Sequence, residues 1–344
     1  MSRRPRGPPP PASPFASLVR QLLDSLQSEE ALRSEIISAA VSTSVEQGPV
    51  RRDGSVTLTF SQSPNDVTQY ITGKRSYADD TSGGFSDVYK CVFEKPGEPR
   101  AAVAVKAIRL GTSDATVLQD RGDKLRGEVH IWIRLNHPNV LKLHGIADGF
   151  APLPALVSPW VKNGTLTRYL GGAGQQMPTA YRIHILVKVA EALHYIHSKR
   201  VVHGDLTSSN ILINDEGQPL ISDFGLSSIL EEYNETSYFK SNRPGSIRWV
   251  APELLKASPK PSIQSDVYSY GCVILHTLSG KVPYSEMRDI SVPAAKMNGI
   301  RPQKPKNVQI ERSHWDLIEN CLHATPGDRP PLPDIIGFLK RVRA

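Results

Sequence analysis

Along residues 103–108, VAVKAI, apolar side chains alternate with the period of a strand, and Lys106 is the one charge in the run. Residues 124–135, KLRGEVHIWIRL, change the period. Leu125, Val129, Trp132 and Leu135 recur at helical spacing with Glu128 beside them. Further on, ILIN (211–214) and PLIS (219–222) read as a pair of short strands. Near the start, Phe15, Leu18, Val19, Leu22, Leu23 and Leu26 form one helical face after Ser13 and Pro14, and a second helix is expected through Ile36, Ile37 and Ala40. Arg20 and Asp24 interrupt that face, so it is not the core of a signal peptide. A transit peptide stays open because no acid precedes Asp24, although the four consecutive prolines before it argue against one. Residues 44–66 read as a linker with one strand, SVTLTF (55–60).

The chemistry concentrates in VVHGDLTSSNILI (201–213) and the DFG at 223–225. Asp205, Asn210 and Asp223 set two carboxylates and an amide at fixed intervals on either side of the strand pair. DFG alone is an ordinary turn. With both halves in order, the segment resembles the catalytic loop of eukaryotic protein kinases, H-R-D-L-x-x-x-N plus D-F-G. The resemblance implies that Asp205 accepts the proton of the substrate hydroxyl, and that Asn210 and Asp223 hold the metal on the phosphates of ATP.

Further segments extend the resemblance over about residues 75–344. TSGGFSDVYK (81–90) has the place of the Gly-rich loop over ATP, with Gly83 and Gly84 retained, Phe85 at the tip and Val88 under the adenine. Lys106 matches the strand lysine that reaches the phosphates, Glu128 its helical partner. Alone, each charge reads equally well as solvated surface. LVSPWVKNGTL (156–166) is similar to the hinge between lobes, with Ser158 as gatekeeper and the Pro159 carbonyl and Val161 amide facing the adenine; Ala104 and Leu212 complete the expected nucleotide pocket. Ser237, Tyr238 and Ser241 fall on the expected activation segment, which closes in GSIRWVAPELL (245–255) with Ser246 and Glu253. Structural roles are implied for His203, for Asp266 as a cap on the catalytic loop, and for Arg329 as the partner of Glu253.

GSIRW, with Ser246, is closest to the tyrosine-kinase-like Ser/Thr group. Three departures stand out. The Gly-rich loop is degenerate, Gly204 replaces the Arg of H-R-D, and Thr207 stands where Ser/Thr kinases carry a Lys. Tyrosine kinases compensate with a nearby Arg, which Ser208 and Ser209 do not supply; Arg248 is the alternative cation.

Composition agrees with a soluble globular protein, at 39% hydrophobic and 22% charged residues. Cys91, Cys272 and Cys321 are isolated, which argues against a disulfide framework or zinc knuckle and for a reducing compartment. The net charge of +7 is scattered rather than gathered into a stripe, so no nucleic-acid partner is expected. No apolar run is long enough for a membrane span. Among ten histidines only His203 gains a role.

The expected fold is therefore α+β and bilobal, a small β-rich N-lobe with one regulatory helix and a larger, mostly helical C-lobe. The expected divisions are a Pro/Arg-rich disordered tail (1–14), a helical segment (15–43), a linker (44–74) and a kinase domain (75–344), with the N-lobe at 75–157, the hinge at 158–164 and the C-lobe at 165–344. The expected activity is ATP- and Mg²⁺-dependent phosphorylation of protein Ser/Thr hydroxyls in the cytoplasm or nucleus. A nucleotide-binding pseudokinase scaffold and a dual-specificity or tyrosine kinase remain as alternatives, and the N-terminal helix or Pro-rich tail is the expected site for a protein partner.

Overall fold

In the computed structural model, residues 46–47, 58–59, 66–76, 86–109, 114–223, 246–256 and 260–343 are described; side chains at 46–47, 58–59, 74–76, 124, 126–128 and 343 fall outside that description. The sequence expectations at residues 1–43, at Gly83, Gly84 and Phe85, at Phe224 and Gly225, at Ser237, Tyr238 and Ser241, and for the Glu128 side chain therefore lie outside the described residues. Glu46–Gln47 pairs antiparallel with Leu58–Thr59, within the SVTLTF segment.

The alternating VAVKAI run forms β3 (Ala101–Ile108), third in an antiparallel sheet with β1 (Ile71–Ser76), β2 (Ser86–Phe93), β4 (Gly145–Ala147) and β5 (Ala155–Pro159). The spatial order is β1-β2-β3-β5-β4. The sheet thus begins at Ile71, ahead of the expected boundary at 75, and the backbone of Val67 already donates to Ile146 O (2.9 Å). Between Thr72 and Arg75 the pairing shifts register, and Gly73 supplies the positive φ (65°) found there. Period 2 splits β3 into two faces: Val103, Val105 and Ala107 are buried with Cys91, Phe93 and Val157, while Ala104 and Lys106 face the other way.

The helical pattern at 124–135 belongs to a longer helix, α1 (Ala115–Arg134), which starts where the Asp114 carboxylate accepts from the amides of Thr116 (2.8 Å) and Val117 (3.3 Å). Its Leu118, Leu125, Val129 and Trp132 share one apolar cluster with Leu156 of the sheet and with the helical half of the molecule. There, after the short α2 (Leu166–Gly171), α3 (Thr179–Ser198) and α4 (Ile263–Ser279) form the centre, joined by Tyr270 Oη donating to Leu186 O at 2.7 Å. Helix α4 is buried almost all round, and its polar residues Asp266, Ser269 and His276 spend their hydrogen bonds inside the core. At Gly271 a Cβ would stand 2.6 Å from Cys321 Cβ, so only glycine lets α4 approach α6 (Arg312–Cys321) this closely. Helices α5 (Val292–Met297) and α7 (Leu332–Arg343) complete this half. Its remaining strands, β6 (Ile211–Ile213) and β7 (Pro219–Ile221), form a hairpin tied to the core by Leu141 N donating to Ile221 O (2.8 Å).

Candidate active site

The sheet register collects one group of candidate residues. Val88 pairs with Lys106, Lys106 with Leu156, and Ala104 with Ser158, and cross-strand partners share a face. Val88, Ala104, Lys106 and Ser158 therefore lie together on the sheet face turned from Val103, Val105 and Ala107. Trp160 N donates to Ala102 O (3.0 Å), so strand alternation turns the Pro159 carbonyl away from β3. A proline at 159 costs no ladder bond, because its missing N–H would also have pointed outward. Val161 follows, half-buried against the main apolar cluster, and Leu212 is the half-buried residue between buried Ile211 and Ile213.

The hairpin collects the second group. Ile211 pairs with Ile221, so the residues flanking them meet: Ser222 N donates to Asn210 O at 2.9 Å. Asp223 comes next, with a left-handed φ of 62° that is unusual outside glycine, and its Oδ2 lies 2.6 Å from Lys106 Nζ. The ion pair joins the two halves of the molecule. Asn210 is buried, and its Nδ2 donates to Asp205 O (2.6 Å) and Asp205 Oδ2 (3.1 Å), which turns Asn210 Oδ1 away from Asp205. Thr207 is buried too, its Oγ1 accepting from the amides of Ser209 and Asn210 (both 3.2 Å).

A single carboxylate supports this loop from beneath. Asp266, 1% exposed, accepts from His203 N (2.8 Å), Gly204 N (2.9 Å) and His197 Nε2 (2.8 Å). Gly204 has a φ of 77°, where an L side chain would be strained, and this gives a local reason for glycine in place of arginine. His203 is fully buried, and desolvation holds its pKa below the ordinary value against the pull of Asp266, Asp205 and Asp223. Asp205 N donates to its Nδ1 (3.3 Å), so the ring is the neutral Nε2–H tautomer and donates to Ser222 O (3.1 Å).

Arg329 Nη1 and Nη2 meet Glu253 Oε1 (2.6 Å) and Oε2 (2.8 Å) in a bidentate pair, with the Arg329 side chain wholly buried. Ser246 is buried in a short turn, 246–248. Arg248, the alternative cation of the sequence reading, is engaged elsewhere. Its guanidinium donates to Pro283 O (2.9 Å), Tyr284 O and Met287 O (2.7 Å) and pairs with Asp289 Oδ1 at 2.5 Å.

A family model described as protein tyrosine and serine/threonine kinase matches residues 80–339. The chain belongs to this protein kinase family. Its sheet and helical half are the N-lobe and C-lobe of the kinase fold. Among curated proteins it is similar to the serine/threonine/tyrosine-protein kinase HT1 of Arabidopsis thaliana, 28% identical over 80% of this chain and 67% of that protein. It is 30% identical to ephrin type-A receptor 5 of Homo sapiens over 76% of this chain, and likewise to ephrin type-A receptor 3 of Danio rerio. The chain spans only 24% and 26% of those two receptors. Among the described residues no helix is long and apolar enough to cross a membrane.

Sequence reasoning overlooked two histidines. His197 supports Asp266, and His276 shares a hydrogen bond at 2.9 Å between its Nδ1 and Ser208 Oγ of the catalytic loop. A readable signal existed for His276: with Ser269 and Cys272 it recurs at helical spacing along one side of a helix that is otherwise apolar between Tyr270 and Leu275.

Proposed function

We propose that this kinase transfers the γ-phosphoryl group of ATP, with Mg²⁺, to Ser and Thr hydroxyls of protein substrates. The observation that carries the proposal is the Lys106–Asp223 pair at 2.6 Å, in a loop system where Asn210 orients Asp205. Asn210 Oδ1 and the Asp223 carboxylate are hard oxygen donors, and the described residues contain no group of three or more His, Cys, Asp or Glu that could hold a metal. That donor set fits Mg²⁺, which is commonly held by one or two protein oxygens together with substrate phosphates. When bound, Mg²⁺ offsets charge on the phosphate oxygens. Lys106 adds a cation from the sheet face, Val88, Ala104 and Leu212 enclose the adenine, and the Pro159 carbonyl and Val161 amide meet its edge beside Ser158. Asp205 orients the substrate hydroxyl and takes its proton as the new O–P bond forms and the β–γ bridging bond breaks, releasing ADP.

Ser246 supports Ser/Thr specificity, as does the absence of arginine at 208 and 209, where both hydroxyls are held: Ser208 by His276 and Ser209 by Thr167 Oγ1 (3.1 Å). The names of the relatives favour a broader range that includes tyrosine. Labelled phosphate transfer to Ser, Thr and Tyr peptides separates these readings. Ser and Thr labelling is expected, with losses of about 10²–10⁴-fold in Asp205→Asn and comparable losses in Lys106→Met and Asp223→Asn. Labelling of tyrosine alone would overturn the specificity, and undiminished transfer by Asp205→Asn would overturn the site.

A second reading, a nucleotide-binding scaffold, is favoured by one observation. Between Asp205 and Asn210 there is no cation, and the Thr207 hydroxyl is occupied with backbone amides. A thermal shift with Mg²⁺ and ATP but no transfer to any peptide would select it. We assign the start of the kinase domain to about residue 66, and leave residues 15–43 or the Pro-rich segment 1–14 as the proposed docking element for a protein partner.

A further inference from the structure

Lys296, on α5, is 2% exposed, a burial that lysine rarely reaches without partners. Its Nζ donates to the carbonyls of Arg248 (3.0 Å) and Val250, and lies 5.2 Å from the ring centroids of both Tyr268 and Tyr284. Those rings are themselves fixed: their hydroxyls are 3.3 Å apart, and Tyr284 Oη donates to Ile300 O at 2.9 Å.

The strip that Lys296 holds receives a side-chain donor at each carbonyl from 248 to 250. Cys272 Sγ also approaches Arg248 O (3.6 Å), and Ser269 Oγ donates to Trp249 O (2.9 Å). Between these anchored carbonyls stands the Trp249 ring, whose buried indole N–H has no hydrogen-bond partner among the described residues. With no hydrogen bond to fix it, packing orients this buried ring, and one of the groups it packs against is a second ring. That ring is His276, with centroids 5.9 Å apart, and His276 bonds Ser208 in the catalytic loop.

We propose that Lys296 is a positioning residue for the protein substrate, holding the 248–250 backbone in register with the catalytic loop through Trp249, His276 and Ser208. This rests on the kinase reading above. A hydroxyl delivered to Asp205 brings its flanking peptide across the strip adjoining that loop. Displacing the strip disturbs how the peptide lies, whereas the nucleotide residues, on the sheet face and hinge, stay where they are.

Lys296→Met tests the proposal. Methionine keeps an unbranched apolar stem, its sulfur is compatible with the two rings, and replacing a buried ion by an apolar group is often neutral for stability. The expected result is an unchanged or raised melting temperature, an unchanged KM for ATP, and a KM for peptide raised about tenfold, the scale of one charge-assisted hydrogen bond. Amide hydrogen exchange over 246–252 should quicken in the same variant. Ser269→Ala, which loosens the same strip without touching Lys296, should shift peptide KM and exchange in the same direction by less. Unchanged peptide KM and unchanged local exchange in Lys296→Met would overturn the proposal. So would a lowered melting temperature with kcat and both KM values moving together, which would reduce Lys296 to a structural role. Should the wild-type protein label no peptide, the kinase reading fails by itself, and exchange over 246–252 still decides whether Lys296 holds the strip.

Discussion

The catalytic loop and the 248–250 strip meet at Ser208 and His276, yet one is held by a buried acceptor and the other by a buried donor. Beneath the loop one carboxylate, Asp266, gathers two backbone amides and an imidazole N–H. Beneath the strip the amino group of Lys296, whose burial pushes its pKa down to about 7, gathers two carbonyls, and the Arg248 guanidinium gathers three more from 283–287. The two arrangements are not mirror images in energy. An amide has one proton to give, so a buried amide that loses its acceptor has nothing in reserve. A carbonyl has two lone pairs, and Arg248 O keeps Cys272 as a second neighbour if Lys296 is removed, which leaves Val250 O as the one carbonyl of the strip that depends on the lysine. The loop is therefore the brittle region and the strip the adjustable one.

Three experiments test that contrast. Asp266→Ala leaves buried donors without an acceptor and is expected to destabilise the protein by about 3–5 kcal/mol, the range for breaking a buried charged network. Urea denaturation measures the loss, and one under about 1 kcal/mol, the net worth of an ordinary hydrogen bond, would show that the loop tolerates rearrangement as the strip does.

The junction between the regions is expected to respond to acid. Burial, helped by the nearby Arg182, pushes the His276 pKa down from 6.5 to about 4. Between these values the unfolded chain binds more protons than the folded one, so stability falls as pH drops through this window, by up to about 3 kcal/mol, and the contribution levels off below pH 4. Denaturation midpoints of His276→Asn across the same range should show a shallower decline. Equal slopes in both proteins would place the acid sensitivity elsewhere.

Smallest is the effect of Gly204→Ala, expected to cost about 1 kcal/mol through its left-handed backbone. A neutral substitution would mean that the loop can relax at 204 even while Asp266 holds it.

The brittle region was also the more legible one. Its residues lie close in sequence, and Asp205, Asn210 and Asp223 are drawn together by a hairpin whose strands, ILIN and PLIS, could be read directly. The same holds for VAVKAI, where alternation alone divides the core residues from Ala104 and Lys106. The strip offered no such pattern. In PAAKMNG, Lys296 has the look of a solvated helical charge, and its burial follows from Tyr268, Tyr284 and the 248–250 carbonyls, all distant in sequence. Arg248 misled for the same reason: nothing local announces that residues 283–289 will surround its guanidinium. The early start of the sheet was hidden by Gly73, which interrupts the β1 pattern where the strand bulges.

The neutral ring of His203 has a further consequence for the path of a proton. Its Nδ1 lone pair already faces the Asp205 amide, and its Nε2 proton is committed to Ser222 O. The imidazole therefore acts as an insulator on the inward side of Asp205 and offers no relay toward Asp266. No proton can pass through this ring between Asp205 and Asp266 unless one of those two bonds first breaks.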